Sequence, residues 1–461
     1  MANKKSFDWP FYKRILMVAL PIIVQNGITN FVSLLDNVMV GQVGTVQMSG
    51  VAIVNQLMFV FNLCIFGATS GAGIFTAQFH GSGNARGVRD TFRFKVLIAL
   101  TLVVAGAGIF LAGGETLIGL YLDGDAGTAE AAETLFYGKG YLAVMLFGLL
   151  PFSLTNAYSS TLRETGQTTV PMVAGIAAVG VNLALNYVLI FGHFGAPELG
   201  VVGAAVATVV SRYVELAIVA LWTHTHGEKN PFIRGAYRSM KIPGELMKRI
   251  IVKGMPLLIN EFFWSTGMAI LSQCYSTRGL NVVAAINIAN TISQLANVVY
   301  LSLGNSVGII MGQMLGAGIG EEQIRRDNKR MVRLSVLSCL VFGGVMVALS
   351  GIFPEIYNTT DQVRSIATGL ICITAVMMPV NSYNNAMYFT LRSGGQTGIT
   401  FLFDSGFTWA VCVPVAFCLS RFTSLPILPM YAICVGVDVL KVAAGAYLLK
   451  KGVWIRRIVT D

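Results

Sequence analysis

The chain has 461 residues, of which 54% are apolar and only 12% charged, against roughly a quarter charged in a soluble globular protein. An ordinary water-facing surface is excluded. The formal charge of +10 does not mark a nucleic-acid binder either, because Lys and Arg fall in short connectors between apolar blocks and not on a separate domain. Blocks of about 20 apolar residues or more are long enough to cross roughly 30 Å of hydrocarbon as helices. The 50 Gly and 13 Pro suit helices that pack closely and bend in lipid, and the short alternating segments of an outer-membrane barrel are missing. The composition predicts an all-α membrane protein.

Taken in chain order, the first fourteen residues, MANKKSFDWPFYKR, are basic like the start of a signal peptide. The apolar stretch behind them is too long and lacks a small-residue cleavage site, so it counts as the first span. Hydropathy and breaker residues then predict twelve spans near 15–41, 50–78, 94–121, 134–158, 169–192, 199–223, 249–277, 283–315, 331–355, 364–389, 398–420 and 427–449. Lys4, Lys5, Lys13 and Arg14, Arg86 to Lys95, Lys229 to Arg249, Arg325 to Arg333, and Arg456 with Arg457 all fall on one side of these spans. Asp123, Asp125, Glu130, Glu198, Glu355 and Asp361 fall on the other, which predicts both termini in the cytoplasm of a bacterial cell with the chain in its inner membrane. The seven Cys lie inside apolar stretches without a CxxC pair, so disulfides and structural zinc are not expected.

The chain repeats itself. Gln78-Phe-His-Gly81-Ser-Gly83 matches Gln313-Met-Leu-Gly316-Ala-Gly318, and at nearly the same offset Leu162-Arg163-Glu-Thr-Gly166-Gln167-Thr168 matches Leu391-Arg392-Ser-Gly-Gly395-Gln396-Thr397. Pro21 pairs with Pro256, and Arg212 with Lys441. An even number of spans separates the copies, so both halves point the same way and are related by an axis along the membrane normal. The expected organisation is an N-lobe over 1–224, a polar linker over 225–247 and a C-lobe over 248–461, two six-helix lobes around a central cleft.

An ionisable side chain in hydrocarbon costs about 3 kcal/mol, so each needs a partner, a wet cavity or a function. Asp36 lies about 21 residues into the first span, roughly 31 Å along a helix rising about 1.5 Å per residue, near its outer end. Asn182 and Asn186 sit at similar depth in the fifth span, on one face by their i, i+4 spacing, and Thr208 follows Ala204 by one turn in the sixth. A carboxylate, two amide oxygens and a hydroxyl are the hard ligands that Na⁺ takes, and the same carboxylate, removed from water, is also a proton carrier. The alternative is that Asp36 only hydrogen-bonds a neighbouring helix. Glu261, beside Asn260, Trp264 and Ser265 in the seventh span, and Asp404, before Trp409 in the eleventh, are candidates to meet an organic cation, with Tyr383 and Tyr388 offering aromatic faces. Gln56, Gln294 and Asn381 complete the candidate set. Asp438 with Lys441 and Arg212 with Glu215 are spaced i, i+3 and are expected to neutralise themselves on one helix face. No P-loop and no Ser/His/Asp or Cys/His set can be placed, so neither ATP use nor enzymatic activity is expected, and no cofactor.

Leu20-Pro21 through Asp36-Asn-Val-Met-Val-Gly41, the Gln78 to Gly83 connector, Leu162-Arg163 with Gly166-Gln167-Thr168, and Asn182 to Asn186 followed by Gly203-Ala-Ala-Val-Ala-Thr208 together resemble the multidrug and toxic compound extrusion (MATE) transporters. The resemblance covers essentially the whole chain. It implies two six-helix lobes, alternating access by rocking, and export of organic, commonly cationic compounds or drugs against entering Na⁺ or H⁺. Asp36, Asn182, Asn186, Ala204 and Thr208 are similar to the family's N-lobe cation site, whose metal ligands, if the ion is Na⁺, would be Asp36, Asn182, Asn186 and Thr208. The sequence departs from the pattern where Asn186 replaces a fifth-span Asp of some members and Asn381 falls near a tenth-span acid of others. The expected partners are membrane lipid and small organic cations, with a monomeric protein. A lipid-linked saccharide flippase would prefer a basic cavity, and a non-transporting membrane sensor has no evident need of duplicated lobes.

Overall fold

A computed structural model of the chain describes residues 9–122, 128–357 and 359–459, apart from the side chains of Leu34, Asn37, Val38 and Leu280. Lys4, Lys5, Asp123 and Asp125, and the side chains of Asn37 and Val38 in the first-span motif, therefore lie outside the described residues.

The described residues contain helices and no strand. The long helices are α1 (Trp9–Gly41), α2 (Thr45–Gly81), α3 (Ala85–Gly119), α4 (Ala129–Glu164), α5 (Thr169–Phe191), α6 (Gly200–Thr225), α7 (Gly244–Ser276), α8 (Leu280–Gly316), α9 (Glu321–Leu349), α10 (Asp361–Ser393), α11 (Thr397–Phe422) and α12 (Ile427–Lys451). Eleven are long and apolar enough to cross a membrane by length and composition. The exception is α7, whose 33 residues include Lys248, Arg249, Lys253, Asn260, Glu261, Ser265, Thr266 and Gln273. Its polar side chains dilute the hydropathy that its length would otherwise carry.

Local chemistry fixes several ends. The Asn84 side chain accepts from Gly87 N at 2.8 Å to start α3, Thr128 accepts from Ala131 N at 3.1 Å to start α4, and Thr360 accepts from Val363 N at 3.4 Å to start α10. The repeated connectors close alike: Gly83 N bonds His80 O and Gly318 N bonds Leu315 O, while Gln167 N bonds Leu162 O and Gln396 N bonds Leu391 O. Each closure needs left-handed backbone, and Gly83, Gly318, Gly166 and Gly395 supply it with φ of 76°, 68°, 86° and 71°. The Leu-Arg and Gly-Gln-Thr motifs are thus turn chemistry written twice.

Contacts divide the chain into two compact units: residues 24–76 with 84–258, and residues 1–23 and 77–83 with 259–461. The divisions fall inside α1 and α7, just after Pro21 and just after Pro256. In the first of these units, Val54, Met58, Ile65, Tyr141, Met145, Leu149 and Ala205 form the apolar core. Gly71 packs its backbone on that of Gly254 there, the small-residue approach by which helices associate where the hydrophobic effect gives no help. The linker is docked in the same unit. Arg93 donates to the carbonyls of Ala236 at 2.8 Å and Gly235 at 3.0 Å, and Phe232, Ile233 and Ala236 are buried.

In the other unit, Ile15, Val18 and Ile22 of α1 pack with Val307, Ile310, Met311 and Met314 of α8. Gly81 meets the Gln313 carbonyl and Gly316 meets that of Gln78, a reciprocal crossing of the repeated connectors that leaves no room for a Cβ. Gln78 then holds the chain's last described residues: its amide donates to Ser393 O at 2.9 Å and Arg456 O at 3.1 Å and accepts from Ile458 N at 2.8 Å. Trp454 is buried in the apolar cluster of the same unit.

Candidate functional site

In the unit of residues 24–76 and 84–258, Asp36 and the two fifth-span amides come together. Asn186 Nδ2 donates to Asp36 Oδ1 at 2.7 Å and lies 3.3 Å from Asn182 Oδ1; Asn182 Nδ2 donates to Thr208 Oγ1 at 3.3 Å. With the Asn182 amide turned over, its nitrogen reaches the two Asp36 oxygens at 3.0 and 3.1 Å, so either orientation ties it to the cluster. Asn182 and Asn186 are buried, and Asn186 Oδ1 has no hydrogen-bond donor. A buried acceptor in that state costs about 1–3 kcal/mol, a debt that a cation would cancel. Ala204 is buried in the apolar cluster with Val40, Ile190 and Val201 and adds packing one turn from Thr208. Tyr141, which donates to Asn55 Oδ1 at 3.3 Å, is within electrostatic reach of Asp36 and Arg212.

Arg212 and Glu215 do not form the closed pair that their spacing predicts. The Arg212 guanidinium donates to Gly148 O at 3.3 Å and lies over the Phe152 ring, and Glu215 is influenced by Arg163 as well as by Arg212. Arg163 itself donates to Gln25 Oε1 at 2.7 Å. Two cations share one acid because α4 brings Arg163 to the face of α6 that carries Glu215, a tertiary contact that helical spacing does not encode.

The other unit holds a larger network. Asn260 Nδ2 donates to Asp404 Oδ2 at 3.0 Å, and Ser405 Oγ donates to Asn260 Oδ1 at 2.7 Å. Lys441 Nζ stands 3.4 Å from Asp438 Oδ1 and 3.8 Å from Asp404 Oδ1. The expectation that Lys441 and Asp438 neutralise each other alone is therefore corrected: the ammonium is shared between two helices. Glu261 is in electrostatic contact with Arg392 and Asp404, and Tyr388 is hydrogen-bonded to Arg392. Trp409 is fixed by Nε1 to Phe263 O at 2.8 Å, Trp264 is exposed, and Tyr383 packs beside Gly445. Gln56 and Gln294 are exposed on α2 and α8 and Asn381 is half-buried on α10; none of the three is a member of this network.

Helical irregularity converges on the same place. Leu402–Gly406 and Thr408–Cys412 of α11 are π-helical, and α12 is broken between Gly436 and Val439, where the Asp438 carbonyl accepts from Asn384 Nδ2 at 3.0 Å and from Lys441 N at 3.1 Å. Such turns re-aim side chains and often mark functional positions. Sequence reasoning missed Arg392 and Lys441 as members, although their place in the repeated motifs, opposite Arg163 and Arg212, was the available signal.

The MatE family model matches residues 21–188 and 256–418. The chain belongs to the MatE family. Among its relatives, the probable multidrug resistance protein NorM of Thermotoga maritima is 26% identical over 454 residues, covering 97% of this chain and 94% of its own. The probable multidrug resistance protein YoeA of Bacillus subtilis strain 168 is 26% identical over 441 residues, covering 94% and 92%. A multidrug resistance MATE family transporter solved in an outward-facing conformation superposes with a TM-score of 0.86 at 18% identity, and a MATE in complex with MaL6 with 0.85 at 18%, each covering 96% of both chains. The fold is therefore the twelve-helix MatE fold, and this chain is a multi-pass membrane protein with α7 as its seventh span.

Proposed function

We propose that this MatE chain exports small organic cations across the bacterial inner membrane in exchange for Na⁺ or H⁺, with both termini in the cytoplasm. The observation that carries the reading is the Asp36 cluster. A carboxylate is held by two buried amides and no basic side chain is among its described partners, while the Asn186 Oδ1 lone pairs stand unpaired. Such a group is one charge short, and an inorganic ion completes it. Asp36, Asn182, Asn186 and Thr208 would be the ligands of Na⁺, or Asp36 alone the carrier of H⁺.

Glu261, Asp404, Trp264 and Trp409 belong to a different unit and offer carboxylates beside aromatic faces, which suits a flat or lipophilic cation. The multidrug names of the relatives agree with such a substrate. An ion shifts a two-state carrier only as far as its affinities for the two states differ, so coupling requires the Asp36 cluster to change its ligands between them. Purified protein in proteoliposomes, given a Na⁺ gradient or a pH gradient separately, should drive dye movement with one of the two. Movement driven by neither gradient would refute antiport.

A further inference from the structure

The two repeats treat their intramembrane acids differently. At the sequence offset of the repeated motifs, Asp36, Asn182, Asn186 and Thr208 are answered by Leu271, Val411, Val415 and Val437, so the first cluster has no copy. Conversely Asp404 and Asp438 answer to Gly175 and Val209. Only the base is common, as Arg212 in one and Lys441 in the other. The second repeat carries two acids around the shared basic position where the first carries Gly175 and Val209.

Lys441 lies between those acids, 3.4 Å from one and 3.8 Å from the other, with its ammonium 5.1 Å above the Phe407 ring. Its side chain is 10% exposed, whereas those of Asp404 and Asp438 are 25% and 27% exposed, so the acids are reachable while the lysine fills the gap between them. The π-turns of α11 and the break in α12 place all three. We propose that Lys441 is a tethered cation that occupies the Asp404–Asp438 pair, bars a bare inorganic ion from it, and yields only to a lipophilic organic cation.

The physical reason is competition. An ammonium on the same chain acts at an effective concentration in the millimolar range or above, which a weakly held free ion does not overcome. A lipophilic cation brings dispersion and cation–π contact with Phe407 and its neighbours in addition to charge, and so can displace the ammonium from Asp404 onto Asp438, the nearer acid. The two carboxylates and one ammonium leave one negative charge for the guest. This extends the proposed export of organic cations by naming the residue that separates substrate from coupling ion.

The test uses purified full-length protein in nanodiscs, with Asp36→Asn as background so that the first cluster is silent. Radioactive sodium bound at equilibrium should be negligible there, should rise to about one ion per chain on adding Lys441→Gln, and should vanish again with Asp404→Asn. Lys441→Arg should stay at the background. Tetraphenylphosphonium should bind roughly tenfold tighter to the Lys441→Gln protein than to its parent, since its competitor is gone, and sodium should now weaken that binding. Monodispersity and unchanged melting show that the variants are folded. A folded Lys441→Gln protein that gains no sodium overturns the proposal, whether or not any organic cation binds. Failure of the export reading is visible separately, as wild-type protein that binds no tetraphenylphosphonium.

Discussion

At the scale of residues, the Asp36 cluster depends on amide donors from α5 and a hydroxyl from α6. Asn186→Ala removes the 2.7 Å bond and the unpaired acceptor together, so the ion should be held less tightly by about 1–3 kcal/mol, or roughly 5- to 150-fold. The half-saturating gradient for transport measures this; an unchanged value would mean that Asn186 only packs. Asn182→Ala should act in the same direction. The positions of these four residues were legible because an acid and two amides in apolar spans have few uses and i, i+4 spacing fixes their face. The counter-charges were not. Whether Asp404 faces Lys441 or solvent depends on how α11 and α12 turn, and apolar periodicity carries no sign of a π-turn.

At the scale of elements, eleven of the twelve spans follow from blocks of apolar residues, α7 being too polar to meet that measure, and the shared closures of the two connectors follow from their glycines. Gly81→Val and Gly316→Val insert side chains against the carbonyls of Gln313 and Gln78 and should each cost about 1–3 kcal/mol, read as a lowered melting temperature in detergent. Gly180→Ala, with open space around it, should be near neutral. Gln78 is the second element-scale device, tying α2 to Ser393, Arg456 and Ile458. Gln78→Ala should release the chain after Gly452, so that limited proteolysis cuts there faster than in the parent; equal rates would show that the Gln78 bonds do not hold it. The Gln78 motif was visible in the sequence as part of a repeat, but its partners lie more than three hundred residues away, beyond any local pattern.

At the scale of the whole molecule, duplication is the part of the architecture most openly written in the chain, through two motifs at nearly one offset and the paired Pro21 and Pro256. The limits of the compact units were not written there. They cut α1 after Ile23 and α7 after Leu258, at matching places in the two copies, because the first turns of each helix find their packing partners in the other half of the sequence. A division by chain order at the linker cannot anticipate that exchange. The most direct measurement of the central claim is gradient-driven dye efflux by reconstituted wild-type protein and Asp36→Asn side by side. The variant should insert, melt as the parent does and bind dye, yet fail to respond to the ion gradient. Efflux by Asp36→Asn at the parental rate, still steered by the gradient, would contradict it.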